Sequence, residues 1–311
     1  MSNDGTIQTD PMIGKVEDNY KSNEQPDATK NIGGAGLVGL LVHSYGDGGQ
    51  YGADSHLAEF HGKSDLFVDA TNKIGGAVLE DGTTVEIKAD LAQEGRIDSN
   101  GSSVLFWGTW TNGSITVTEP ERPSETDTLS PTQAVHFIGG APFSDLPTSG
   151  GVVTYTHAAH TPASFSDGNG SGDMLSTSQV QIKFGTGQVH ATLDIELTRA
   201  NNTNVYQLAV PFADGHINVA TGGITGKGSA TFISGGADSA ILECGSGCNG
   251  DIAGFVAGPN GKFVGLGWGI DGNTATPRQV TGVAAFVEQG STGTLYTGTG
   301  AITGGGTSPV P

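Results

Sequence analysis

The sequence predicts an all-β protein: an antiparallel, about eight-stranded small β-barrel preceded by a smaller β-rich region. Three observations predict it. The 311 residues include 52 glycines and only 35% hydrophobic residues, a balance that favours turns and short elements over long helices. Apolar residues alternate with polar ones at Val180, Ile182 and Phe184, and again at Val189, Ala191, Leu193 and Ile195, the period-2 pattern of a strand with one buried face. Short apolar runs then recur through the second half at the spacing of a meander.

Taken in order, residues 1–31 are charged and rich in Asn, Gln and Pro without apolar periodicity, and read as a flexible leader with no n-region or h-region of an export signal. The β-rich N-terminal region, 32–118, offers strand candidates at Leu37–Tyr45, Leu66–Val68, Ala77–Leu79, Thr84–Lys88 and Val104–Trp110, with Asp81-Gly82 as a hairpin turn. Residues 119–131 hold three prolines and four carboxylates and read as a linker, because proline lacks the ladder donor. The barrel is expected over 132–290, from candidates at Val152–His157, Gln179–Phe184, Gln188–Glu196, Val205–Pro211, Ser229–Ile233, Ala240–Cys244, Asp251–Ala257, Phe263–Ile270 and Val280–Val287. About eight strands close a small barrel and leave no exposed edge. A Gly/Thr-rich tail, 291–311, carries a last strand candidate around Leu295–Ile302 and ends as spacer.

A net charge of −19 repels phosphate backbones and sets nucleic acid aside. The longest apolar stretch, Ala35 to Val42, is about half of the roughly 18 residues a transmembrane helix needs. The two cysteines, Cys244 and Cys248, have the spacing of a small disulfide loop, with two free thiols as the alternative; a structural zinc site would need four ligands.

Three stretches carry a family resemblance. Phe106-Trp107-Gly108-Thr109-Trp110 with His136-Phe137-Ile138-Gly139-Gly140-Ala141-Pro142 is the first, and Pro147-Thr148-Ser149-Gly150-Gly151-Val152-Val153-Thr154-Tyr155 is the second. The third joins Cys244 and Cys248 to Asp251-Ile252-Ala253-Gly254-Phe255-Val256-Ala257-Gly258-Pro259-Asn260, Gly265-Leu266-Gly267 and Gly282-Val283-Ala284-Ala285-Phe286. Together they resemble the transferrin-binding-protein-like β-barrel domain of bacterial surface lipoproteins and of the C-terminal regions of FecR-type proteins. The resemblance implies a bacterial cell-surface or secreted location and a barrel used as a binding or display platform. Gly261-Lys262-Phe263 departs from the transferrin-binding members and a lipobox cysteine is absent, so transferrin binding is not implied.

Among single motifs, Gly34, Gly36 and Gly39 spell Gly-x-Gly-x-x-Gly with Glu59 about 20 residues on, but a polar leader stands where the dinucleotide fingerprint needs a strand, and Gly-rich β sequence where it needs a helix. Asp167, Asn169, Ser171 and Asp173 alternate with glycines and offer four oxygens to Ca²⁺, without the later bidentate Glu of an EF-type loop; a solvated loop is the plainer reading. His157 and His160 bracket Ala158-Ala159, and His43, His56 and His61 gather in the first region; such imidazoles ligate metals or haem iron, and the resemblance adds haem capture by secreted relatives. Trp107 and Trp110 are either core or a platform for a sugar or protein partner. No Gly-x-Ser-x-Gly, His-Glu-x-x-His or Walker pattern occurs, and the Asn-x-Ser/Thr sequons at Asn100, Asn112, Asn169 and Asn201 carry no weight in a bacterial chain.

The expectation is therefore a non-catalytic extracellular or cell-surface barrel that binds a protein or glycan partner or self-associates, in an adhesive or structural role. A haem or metal scavenger using His157 and His160, and a carbohydrate-active barrel using Trp107 or Trp110 with a carboxylate pair, are the alternatives.

Overall fold

A computed structural model describes residues 38–43, 56–61, 66–68, 74–78, 84–99, 102–118, 123–147, 151–274, 278–290 and 294–298. The expected leader, Gly34 and Gly36, the Asp81-Gly82 turn, and the tail beyond residue 298 lie outside the described residues.

The first sheet is built from β1 (Val38–His43), β2 (His56–His61), β3 (Leu66–Val68), β4 (Ile74–Val78), β5 (Thr84–Ser99), β6 (Ser102–Thr118), β7 (Glu125–Leu129) and β8 (Val135–Gly140). The barrel follows as β9 (Val153–His160), β10 (Ala163–Phe165), β11 (Ser171–Met174), β12 (Gln179–Lys183), β13 (Gln188–Arg199), β14 (Asn202–Ile217), β15 (Gly223–Gly235), β16 (Cys248–Ala257), β17 (Phe263–Asp271) and β18 (Gln279–Glu288). The chain then returns to the first sheet as β19 (Thr294–Gly298), which pairs with β5.

Every pairing is antiparallel, and β9-β12-β13-β14-β15-β16-β17-β18 closes on itself through β18 and β9, giving the eight-stranded barrel expected from sequence. Two positions in this ring are filled by broken strands. β13 pairs β12 over Gln188–Thr192 and β11 over Ile195–Thr198, while β18 pairs β9 over Ala284–Glu288 and β10 at Val280 and Thr281. The break between β9 and β10 falls at Thr161-Pro162, where proline has no N–H for the ladder.

Alternation sets the lumen. Val189, Ala191, Leu193, Ile195 and Leu197 of β13 all point inward with 0% exposure, and they meet Tyr155, Phe165, Tyr206, Leu208, Trp268 and Phe286 in one continuous core. Side chains thus fill the lumen, as in other barrels of this strand number. On β16, β17 and β18 alternation disappears and nearly every residue is buried, because the first sheet packs on their outer face. Ile97, Leu105, Trp107 and Ile138 of the sheet meet Ala253, Phe255, Phe263, Val283, Ala285 and Val287 of the barrel there. A wall covered on both faces reads as a near-continuous apolar run, and burying each large side chain in this seam contributes about 1.5–3 kcal/mol.

Several boundaries differ from the sequence reading. Glu125–Leu129, within the expected linker, pairs with β6 as an edge strand, and β8, expected in the barrel, is the strand of the first sheet between β6 and β1. Ala240–Cys244 is not a strand. Asp238–Ala240 forms a 3₁₀ turn, and Ile241 and Leu242 close one end of the barrel core at 0% exposure. The Asp238 carboxylate holds this plug by accepting from Gly245 N–H at 2.6 Å and from the Tyr206 hydroxyl at 2.9 Å. Apolar residues without a ladder partner satisfied the burial pattern but not the strand.

Candidate functional site

Two features of the barrel wall carry chemistry. The first is the corner where β9 turns into β10. Ala285 opposes Ala159 and Phe286 opposes His157, which leaves Ala158 as an extra residue, a β-bulge. Residues three apart on a regular strand face opposite ways; the bulge instead brings His157 and His160 to the same side, with ring centroids 5.0 Å apart. His157 Nε2 lies 3.0 Å from His160 Nδ1, and His160 Nε2 lies 3.3 Å from Asp173 Oδ1. His157 also meets the inward-facing Phe286 edge-on, centroids 6.0 Å apart. The hydrogen-bonded chain therefore runs from the core, through the wall, to an exposed carboxylate. Burial first, and the neighbouring His160 second, push the His157 imidazole down to about 4, with a backbone hydrogen bond to Ala159 opposing them.

The four oxygens that could have been offered to Ca²⁺ are divided between partners. Asp167 accepts from Arg199 at 2.6 Å and 2.7 Å and from Asn169 N–H at 3.0 Å. Asp173, across the β10–β11 hairpin, faces His160, and Ser171 opposes Ser164 and Thr198 in the ladders. Burial pushes the Asp167 carboxyl up, but Arg199 and the Asn169 amide outweigh it and hold it below the ordinary range. Among the described residues no group of three or more His, Cys, Asp or Glu is placed to hold a metal ion. His43 and His56 are cross-strand partners in β1 and β2, and His61 opposes Val38. Trp107 and Trp110 are buried at 1% and 7% exposure: Trp107 in the seam, where Gly95 makes room for its indole, and Trp110 tilted against Phe137. As core residues they offer no open platform. Cys244 and Cys248 form a disulfide beside the barrel-end plug.

The second feature, absent from the sequence reading, is an outward bulge on β14. Four residues, Pro211 to Asp214, separate Val210 from Gly215, while only His190 separates their β13 partners. Toward β15, five residues oppose Lys227 and Gly228 alone. Both neighbours thus give three residues in excess of a regular ladder. Proline at the start of the excursion removes a ladder donor, and glycine at its end permits close approach, since a Cβ on Gly215 would collide with the Val189 carbonyl. The Phe212 ring is held by His190 at 5.3 Å between centroids and by Lys183 Nζ at 3.8 Å. Beside it opens a depression of about 510 Å³ lined by His190, Ala209, Pro211, Asp214, Lys227, Ser229 and Thr231. The signal for this in sequence was Pro211-Phe212-Ala213-Asp214-Gly215 breaking the alternation of β14.

No protein-family model matches the chain, and no curated protein does. Solved structures with a similar course include isotype 1 transferrin binding protein B from serogroup B Neisseria meningitidis, at 12% identity and a TM-score of 0.37 over 82% of this chain and 44% of that one. A double mutant of the vaccine antigen transferrin binding protein B from Haemophilus parasuis Hp5 is similar at 12% identity and a TM-score of 0.34, over 82% of this chain and 45% of that one. The chain spans less than half the length of either protein.

Proposed function

We propose that this chain is a non-catalytic extracellular or cell-surface barrel protein that binds a macromolecular partner through the outer wall formed by β12 to β15. The observation that carries this reading is the filled lumen: the inward residues of β13 and β14 from Val189 to Val210 are at 0% exposure, so the barrel offers its outside rather than a cavity. Of that outside, the β16–β18 side is occupied by the first sheet. The β13–β15 side is open, polar and interrupted by the depression beside Phe212. A disulfide suits an oxidising compartment, in keeping with an extracytoplasmic location.

The test is site-specific photocrosslinking in intact cells, with the reactive residue at Thr231 in the depression and, as control, at Thr126 on β7 of the first sheet. A discrete adduct from Thr231 alone supports the reading, and its mass tells a second copy of this chain from another protein or a glycan. Adducts from Thr126 alone, or none from either, would count against it.

A further inference from the structure

The corner between β9 and β10 has an unusual donor arrangement. His160 Nε2 faces the Asp173 carboxylate at 3.3 Å, a contact that places a hydrogen on Nε2 and the ring's lone pair on Nδ1. His157 Nε2 points at that same His160 Nδ1 from 3.0 Å. The two inner nitrogens therefore face each other at a distance that takes one electrophile between them, a hydrogen or a cation.

We propose that His157 Nε2 and His160 Nδ1 together bind one divalent transition-metal ion of the borderline class, with Asp173 as the outer partner that orients His160. Two imidazole nitrogens on a tetrahedral zinc at about 2.0–2.1 Å each stand about 3.3 Å apart, so this pair opens by only about 0.3 Å to admit the ion. The bulge at Ala158 is what puts both rings on one side, and His160, with its side chain 22% exposed, gives solvent access for the water that completes the coordination shell. A carboxylate behind a ligating imidazole is the usual second partner of such sites. The nitrogen pair selects Zn²⁺, Ni²⁺ or Cu²⁺ over Ca²⁺ and Mg²⁺, which take oxygen.

The test is calorimetric titration of the purified full chain, freed of metal by chelation, with CuSO₄ and separately with ZnCl₂, alongside electron paramagnetic resonance of the Cu²⁺ form. Wild type is expected to bind one more equivalent than His157→Gln or His160→Gln, with coupling to two nitrogens that falls to one or none in either variant. Asp173→Asn is expected to retain the two-nitrogen signature at roughly tenfold weaker affinity. Six further histidines are present, so only the equivalent lost on substitution counts. If His157→Gln fails to fold, by circular dichroism, the more exposed His160→Gln decides alone. Equal stoichiometry in wild type and His160→Gln, or a wild-type spectrum without two-nitrogen coupling, overturns the proposal and leaves the pair sharing a proton. Undiminished affinity in Asp173→Asn overturns the role given to the carboxylate.

Discussion

Single residues decide how the β10–β11 hairpin is tied to the barrel. Asp167 binds Arg199, 32 positions away, and its carboxyl is held below the ordinary range. Folding is therefore favoured above about pH 4, where the carboxylate of the unfolded chain is also ionised, and the contribution fades as pH falls through the folded value. Asp167→Asn is expected to cost about 1 kcal/mol at most near neutrality, since the pair is partly exposed. The gap should close as pH falls through the folded value of Asp167, as read by urea denaturation across pH. This pairing was not legible in the sequence. Alternation marked Val189 to Ile195 as inward, because burial on one face imposes a local period. The partner of Asp167, by contrast, is chosen by strand register: the run of Asp, Asn, Ser and Asp read most plainly as a solvated loop, and only the ladder sends its two ends to Arg199 and His160. The cysteine pair was legible because only five residues close that loop.

At the scale of elements, most barrel strands followed the apolar pattern, Ala240–Cys244 being the exception, and strand irregularity did not. The β9 bulge converts His157 and His160, an ordinary pair in sequence, into facing rings, and nothing in Ala158-Ala159 announces it. The β14 excursion had a signal in Pro211 and Gly215, but a proline ending an apolar run marks a strand end as readily as a bulge. Because the excess is three residues against both neighbours, removing Phe212 to Asp214 with Pro211→Thr restores a regular register. This variant is expected to fold with stability within about 1 kcal/mol of wild type, since the excised residues leave the core untouched. It should also lose the adduct at Thr231. Loss of the fold would show instead that the excursion is structural.

The whole molecule is a filled barrel with a sheet laid against one side, and chain order does not follow that division. β8 and β19 belong to the first sheet although the barrel lies between them in sequence. A reading that cut the chain at its proline-rich stretch could find both parts but not the membership of β8 and β19 in the first sheet, which depends on long-range pairing rather than local composition. The apolar runs of β16 to β18 fit a wall buried on both faces, but they do not say which element covers it. Phe255→Ala in that seam is expected to cost about 3–5 kcal/mol and to speed amide exchange in β6 and β8 as well as in β16. Faster exchange confined to β16 would mean that sheet and barrel open independently.

The central claim is that this barrel works from its outside. The measurement that tests it most directly is hydrogen–deuterium exchange of the protein alone and in the complex identified by crosslinking at Thr231. Slowed exchange over Phe212 to His216 and Lys227 to Thr231, with the rest of the barrel unchanged, is the expected result. Protection confined to the first sheet, or loosening of the lumen-lining strands as a ligand enters, would contradict the account.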